Sequence, residues 1–202
     1  MSVTRNAAFT FLTGSIVALG LGACATTGEP PSMGNAFSLT SSTFKDGAML
    51  AVKNAGNIKT NPNCIGDNVS PPLSWSNVPE GTKSFALIMY DPEGRGGLGV
   101  DHWTAYGIPA STTAFAEGET SQLSNKYVPG KGTAGLGHYL GPCTPPGTGL
   151  HHYTFTLIAT DLEPNALPPG LTRAELFAKL AGHSKGAAGL VGLFGRAKQK
   201  LP

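Results

Sequence analysis

The fold is decided by the stretch His151-His152-Tyr153-Thr154-Phe155-Thr156-Leu157-Ile158-Ala159-Thr160. Its odd positions are mostly aromatic or aliphatic, whereas threonine dominates its even positions. Because successive side chains of a strand point to opposite faces, this alternation predicts a β-strand with Phe155 and Leu157 inside. His151 and Tyr153 then share the core-facing side at the start of the strand, and His152 faces water.

The remainder of the chain is typical of a mainly β domain. It contains 28 glycines and 16 prolines, and its apolar runs are short, so many turns between strands are expected. Further strands are predicted at 37–42, 73–75, 84–90 and 102–108. A helix is predicted from Thr172 to Ala181, because Thr172 and Glu175 have the spacing of a capping box and leucines follow on one face.

Size and charge limit the classes of function. The 202 residues suffice for one domain with a sizeable core, and 14 basic against 12 acidic residues give a net charge of only +2. This near-neutral balance argues against a nucleic-acid partner. The stretch 185–202 carries four basic residues and no acid, which we interpret as a solvated tail.

The N-terminal residues have the pattern of a lipoprotein signal. Arg5 precedes the apolar stretch 7–21, and Leu21-Gly22-Ala23-Cys24 has the form of a lipobox. We therefore expect residues 1–23 to be a removed signal peptide. Cys24 would carry the acyl chains, palmitate among them.

The expected anchor determines the remaining organisation. Residues 24–36 are rich in glycine and proline and read as an acylated flexible tether, which leaves 37–202 as the domain. The predicted location is the cell envelope, with the protein attached to the membrane through its lipid. Since Ala25 is not aspartate, a Gram-negative cell would hold it at the outer membrane, facing the periplasm.

Two cysteines remain after acylation, Cys64 and Cys143. In an exported protein such a pair favours a disulfide. A zinc site that adds His102 and His151 is the alternative, because all four side chains are competent zinc ligands. No C-x-x-C or H-x-x-x-H spacing supports it, so no metal and no cofactor are predicted.

Two short motifs match known signatures but lack their context. The segment 94–99 satisfies G-x-G-x-x-G, yet a strand-like segment follows where a dinucleotide site needs a helix. The segment 182–186 spells G-x-S-x-G, but a helix precedes it and no acid or histidine lies beyond His183. We interpret the first as a flexible loop and the second as a turn at a helix end.

Polar residues collect where the predicted strands begin or end. The run 84–90 ends in Asp91-Pro92-Glu93, His102 begins the next strand, and a Pro/Gly loop, 141–150, arrives just before His151. Carboxylates and imidazoles beside the backbone N–H groups of such a loop are a common way to hold a small anion.

The order of these segments resembles that of a known family. Asn63 to Trp75, Val78 to Ser84, Asp91-Pro92-Glu93, His102-Trp103 and Gly141 to Tyr153 are similar to the phosphatidylethanolamine-binding protein family, in its bacterial Raf-kinase-inhibitor-like branch. The resemblance runs from about residue 37 to 196. It implies a β-sandwich of two antiparallel sheets with a small C-terminal helical part and an anion-binding cavity.

Carried over from the family, the pocket falls on Asp91, Glu93, His102, Gly141, His151 and Tyr153. Imidazoles and the tyrosine hydroxyl can donate to phosphate oxygens, the glycine permits close backbone approach, and Asp91 can orient a histidine ring. Two departures stand out. The family's usual D-P-D-x-P is here Asp91-Pro92-Glu93-Gly94-Arg95, and its usual H-R pair is His151-His152.

The residues and the resemblance together favour a binding protein without catalysis of its own. The expected ligand is a small phosphate-like anion or a phospholipid head group. One alternative is a protein-interaction module that inhibits a kinase or a serine protease, which implies a protein partner. A hydrolase that uses His102 and His151 as acid and base is the other. No nucleophile or metal set in the sequence supports it.

Overall fold

The computed structural model describes residues 36–197. The predicted signal peptide, the acylated Cys24 and all of the predicted tether except Ala36 lie outside these residues. No helix in the described part of the chain is both long enough and apolar enough to cross a membrane.

Between residues 36 and 197 the chain forms nine strands, two helical segments and one short 3-10 turn. The strands are β1 (Ser38–Thr40), β2 (Ala48–Met49), β3 (Leu73–Ser76), β4 (Ser84–Asp91), β5 (Val100–Pro109), β6 (Ala114–Phe115), β7 (Val128–Pro129), β8 (Leu150–Thr160) and β9 (Ser184–Gly195). The helical segments are α1 (Gly94–Gly97) and α2 (Arg173–Leu180), and the 3-10 turn is Val52–Asn54.

The strands form two sheets, as the resemblance predicted. The smaller sheet has the order β1-β3-β6, and the larger has the order β2-β9-β8-β4-β5-β7. All pairs are antiparallel except β2 with β9, which run parallel. The predicted sandwich is therefore present, with one parallel pair at the edge of its larger sheet.

The core lies between the sheets and is built from aromatic side chains. Trp75 of the smaller sheet contacts Phe85 of the larger one at a ring-centroid distance of 5.6 Å. Phe115, also from the smaller sheet, lies 6.1 Å from Trp103 by the same measure. Each fully buried aromatic or aliphatic side chain contributes about 1.5–3 kcal/mol relative to exposure, so this layer holds the sheets together.

Strand β8 alternates as the sequence predicted. His151, Tyr153, Phe155 and Leu157 are buried, whereas His152 is exposed. The strand pairs with β4 on one side and β9 on the other. It therefore lies inside the larger sheet.

Helix α2 covers the outer face of the larger sheet. Thr172 caps it, and the Thr172 hydroxyl and Glu175 carboxylate form the predicted capping box. Leu176 and Leu180 pack against a second, smaller core that includes Tyr106. The helix is followed by β9, so the small helical part is not the last element of the domain.

The interpretation of residues 185–202 as a solvated tail is wrong for most of that stretch. Residues 184–195 form β9, which pairs with β8 along its whole length. Leu190 and Phe194 are buried in the main core. Position 192 favours glycine, because the Cβ of any other residue there would lie only 2.7 Å from Leu50 side-chain atoms. Residues 198–202 lie outside the described part.

The two rejected motifs have the structures expected for them. The segment 94–99 forms the short turn α1, in which Arg95 and Gly96 adopt left-handed conformations (φ 53° and 70°), and the strand β5 follows. At 182–186 the chain turns from α2 into β9, and Ser184 already begins the strand. Neither segment has the strand-turn-helix order that its motif requires.

A β-bulge in β5 determines where His102 points. Met89 of β4 pairs with Trp103 and Tyr90 pairs with Asp101, so His102 has no partner on β4. An extra residue of this kind interrupts the alternation of side chains along a strand. His102 and Trp103 therefore point to the same inner face, whereas Asp101 and Thr104 lie on the outer face.

Candidate functional site

A cavity of about 590 Å³ opens at the end of the larger sheet where β4 stops and β5 and β8 begin. Its wall combines side chains from these strand ends with the loops before β3 and before β8. The lining residues include Ile58, Asn61, Asn63, Asp91, Glu93, Arg95, Val100, His102, Thr133, Leu140, Cys143, Thr144, Thr148, His151 and Tyr153. We call this space the main cavity.

Asp91, the last residue of β4, is held rigidly in the wall of the main cavity. Its Oδ1 accepts hydrogen bonds from the backbone N–H groups of Glu93 and Gly94, both at 3.0 Å. Its Oδ2 lies 2.8 Å from His151 Nδ1. Since a carboxylate can only accept, His151 donates its Nδ1 hydrogen and its ring orientation is set by Asp91.

The other ring nitrogen of His151 contacts a hydroxyl. Nε2 lies 3.0 Å from Thr148 Oγ1, and that hydroxyl in turn donates to the Pro145 carbonyl at 2.9 Å. Acid, imidazole and hydroxyl follow one another as in a catalytic triad. The single hydroxyl hydrogen of Thr148 also has His151 Nε2 within reach as an acceptor, and the order of the three groups alone does not make Thr148 a nucleophile.

His102 is buried beside this pair and has a different role. Its Nδ1 donates to the Leu140 carbonyl at 2.9 Å, which leaves Nε2 facing Asp91 Oδ2 at 3.9 Å. Burial lowers the pKa of His102, and the hydrogen bond to Leu140 and the charge of Asp91 only partly oppose this effect. In its neutral form His102 therefore presents an acceptor at Nε2, and it donates to a phosphate only after taking up a proton.

Tyr153 supplies the hydroxyl donor that the sequence predicted. Its hydroxyl lies 2.7 Å from Thr144 Oγ1, and its ring meets His102 edge-on with centroids 5.0 Å apart. Burial raises the pKa of Tyr153 well above its ordinary value. The phenol accordingly keeps its hydrogen; since one hydroxyl of this pair donates to the other, the pair has one hydrogen left to donate to an oxygen in the main cavity.

Glu93 and His152 form a pair at the rim. The Glu93 carboxylate accepts from the His152 backbone N–H at 3.0 Å, and it lies 2.8 Å from the ring Nδ1. Burial alone would raise the pKa of Glu93, but the hydrogen bonds and charge of His152 outweigh it and lower the pKa to about 2. The two departures from the family pattern thus contact each other, which the sequence analysis did not anticipate.

Gly141 is placed differently from the other predicted residues. It does not line the main cavity, and its N–H donates to Asn68 Oδ1 at 2.8 Å. A Cβ at this position would collide with the Asn54 carbonyl oxygen. The glycine is therefore required for close packing of two loops behind the wall, whereas the prediction placed its backbone against a ligand.

Cys64 and Cys143 are joined by a disulfide with an S–S distance of 2.08 Å. Both sulfur atoms are consumed by this bond, so the alternative zinc site built on them is not formed. Asp91, Glu93 and His151 do offer ligand atoms within 4.8 Å of one another. The same groups are hydrogen-bonded in pairs, Asp91 with His151 and Glu93 with His152.

Comparison with known proteins identifies the family of this chain. The profile of the family described as "Phosphatidylethanolamine-binding protein" matches residues 40–195. The chain belongs to the phosphatidylethanolamine-binding protein family. Its mainly β fold of two sheets is consistent with this membership.

Two relatives and one solved structure illustrate the match. The "Putative lipoprotein LppC" of Mycobacterium tuberculosis is 40% identical over 156 residues, which are 77% of this chain and 71% of that protein. A UPF0098 protein of Aquifex aeolicus is 38% identical over 146 residues, 71% of this chain and 84% of that protein. The crystal structure of Escherichia coli YbcL is described as that of a new member of the mammalian PEBP family, the phosphatidylethanolamine-binding proteins. It matches this chain with a TM-score of 0.70 and 32% identity, and the match covers 81% of this chain and 99% of the YbcL chain.

Proposed function

We propose that the protein is a lipid-anchored binding protein of the cell envelope that holds a phosphate-like anion or a phospholipid head group in the main cavity, without catalysis of its own. The observation that carries the proposal is the buried cluster of Asp91, His102 and His151 around one 590 Å³ space. Cavities of several hundred cubic ångströms with a few convergent polar groups are the usual form of small-ligand sites.

The polar groups suit a ligand that has both acceptor and donor atoms. The hydrogen-bonded hydroxyls of Tyr153 and Thr144 leave one hydrogen to donate to a phosphate oxygen, while neutral His102 offers an acceptor at Nε2. A phosphate monoester that keeps one hydrogen meets both demands, and so does a phosphate joined to an ammonium group. Hydrogen bonds to charged groups contribute about 1.5–3 kcal/mol each, so two or three of them suffice for selective binding.

The absence of a catalytic role is part of the proposal. His151 is hydrogen-bonded to Asp91, and the Thr148 hydroxyl near its other ring nitrogen also has the Pro145 carbonyl as an acceptor. A hydroxyl needs a base to take its hydrogen before it can act as a nucleophile. These contacts favour a rigid binding wall over an acid-base pair.

Two observations support the envelope location. The lipobox that ends at Cys24 precedes the domain, and a relative that is 40% identical bears the name of a lipoprotein. A lipid-anchored domain would hold its main cavity close to a membrane surface, where phospholipid head groups are concentrated.

Titration of the mature protein with inorganic phosphate and with phosphorylethanolamine, followed by the histidine NMR signals, tests the site. We expect the signals of His102 and His151 to shift and His151→Ala to weaken binding at least tenfold, whereas His152→Ala leaves it nearly unchanged. Tyr153→Phe removes only a hydroxyl and should weaken binding without loss of the fold. Equal losses in the two histidine variants, or no response to either compound, would place the site elsewhere.

A further inference from the structure

A second cavity of about 300 Å³ opens at the same end of the larger sheet. Tyr90 and Asp101, paired across β4 and β5, form its floor on the outer face of the sheet. The start of α2 forms one wall. Arg95 and Thr133 line both this space and the main cavity, so the two are contiguous around the sheet end. We call the second space the basic groove.

Three cationic side chains line the basic groove: Arg95, Lys131 and Arg173. Among residues 36–197, none of them lies within ion-pair distance of a carboxylate. Cations that converge on one concave surface and outnumber its acidic groups create a positive potential there. The charge of the groove is thus suited to binding an anionic group.

The fold positions the backbone of all three residues, and it also fixes the side chain of Arg173. The Arg173 guanidinium lies over the Tyr90 ring, 3.9 Å from its centroid, which is cation–π geometry. The Lys131 backbone N–H donates to the Leu171 carbonyl at 2.9 Å and so fixes that residue beside the start of α2. Arg95 belongs to the tight turn α1, where its φ of 53° directs the chain around the sheet end.

One acid also lines the basic groove. Asp101 is only 9% exposed; its Oδ2 accepts from the Thr104 hydroxyl at 2.7 Å, while its Oδ1 has no hydrogen-bond partner in the described structure. Burial raises the pKa of Asp101, although Thr104 and the charge of Arg173 oppose the shift. With three cationic side chains against this one buried carboxyl, the groove keeps a positive balance.

We propose that the basic groove is a second anion subsite and that the ligand of this protein carries two anionic groups on a short spacer. This inference rests on the proposed function of the main cavity. One group, a phosphate, binds beside His102 and His151, and the other, a phosphate or a carboxylate, binds between Lys131 and Arg173. Arg95, which borders both spaces, contacts the ligand between them.

Arg95, one of the departures from the family's usual D-P-D-x-P, supplies a charge on which this proposal depends. The family pattern has proline there, which carries no charge, whereas this chain places a guanidinium at the junction of the two spaces. Both carboxylates in the wall of the main cavity are engaged by histidines. Arg95 thus adds a positive charge, with no ion-pair partner among the described residues, at the junction of the two spaces.

Calorimetric titration of the mature protein with a series of alkane bisphosphates tests the proposal, with the spacer lengthened from one to six methylene groups. Alkyl monophosphates of matched length serve as reference ligands. We expect one spacer length to bind at least tenfold more tightly than its monophosphate, because a second linked contact is made at high effective concentration. This excess should vanish in Lys131→Gln and shrink in Arg173→Gln, while monophosphate affinity changes less than twofold.

The exposed Lys45, which lines neither space, provides the matched control. Lys45→Gln removes the same charge and should keep the bisphosphate excess. No gain at any spacer length, or a gain that persists in Lys131→Gln, overturns the second subsite. If inorganic phosphate does not move the His102 and His151 signals, the main-cavity proposal fails instead, so the two failures are distinguishable.

Discussion

Loss of the bond between Cys64 and Cys143 should greatly reduce the stability of the domain. The bridged residues are 79 positions apart in sequence. In the chain-entropy treatment, closing a loop of this length removes conformations from the unfolded state equivalent to about 4.5 kcal/mol at 25 °C. Whole domains are stable by only about 5–15 kcal/mol, so the bridge accounts for a third or more of the total.

Guanidinium chloride unfolding of the oxidised protein and of a Cys64→Ser/Cys143→Ser variant measures the difference. We expect the variant's free energy of unfolding to be lower by about 2–4.5 kcal/mol, the smaller figure allowing for residual structure in its unfolded state. Reduction of the wild-type protein with a thiol provides the control, because it breaks the same bond without changing the sequence. Reduction and the double substitution should lower the guanidinium chloride concentration at the unfolding midpoint by similar amounts.

Two results would refute this reasoning. A variant within 1 kcal/mol of the oxidised protein would show that the loop-closure argument does not apply to this fold. Free-thiol labelling of the unfolded, unreduced protein at either cysteine would show that the bond itself is not formed. Because Cys143 also lines the main cavity, phosphate affinity should fall in the double variant, which links the bridge to the site.

Two further predictions concern pH and the anchor. The folded pKa of His102 is lowered, so below about pH 6.5 the unfolded chain binds a proton at this ring that the folded protein does not bind. The free energy of unfolding should therefore fall as the pH falls, by up to about 1.4 kcal/mol per pH unit. His102→Gln should remove this part of the slope between pH 7.5 and 5, and identical slopes in the two proteins would contradict it. For the anchor, Cys24→Ser should abolish processing and move the protein out of the membrane fraction; unchanged fractionation and processing would argue against a lipid at Cys24.

The elements that could be predicted from sequence are those whose pattern is local. Strand β8 alternates regularly from His151 to Ala159, so the inward direction of His151 and Tyr153 and the outward direction of His152 follow from period two alone. Helix α2 carries its own start signal in Thr172 and Glu175. In both elements the residues that specify the structure lie within a few positions of one another.

The elements that were missed depend on distant partners. Strand β9 contains glycines at 186, 189 and 192, which have low strand propensity, and it becomes a strand because β8 lies beside it. Strands β2, β6 and β7 have two residues each and exist only through their pairing. The contact of Glu93 with His152 spans 59 positions, and no local pattern predicts such a distance.

The bulge in β5 leaves His102 outside the regular pairing of that strand with β4. Since His102 pairs with no residue of β4, deleting it would restore a regular ladder and leave Asp101 and Trp103 on their present faces. A single-codon deletion would therefore remove one imidazole from the main cavity and leave the strand pairing intact. The Leu140 carbonyl would lose its donor and Tyr153 its edge-on neighbour, so the disturbance would fall on the cavity wall and not on the ladder.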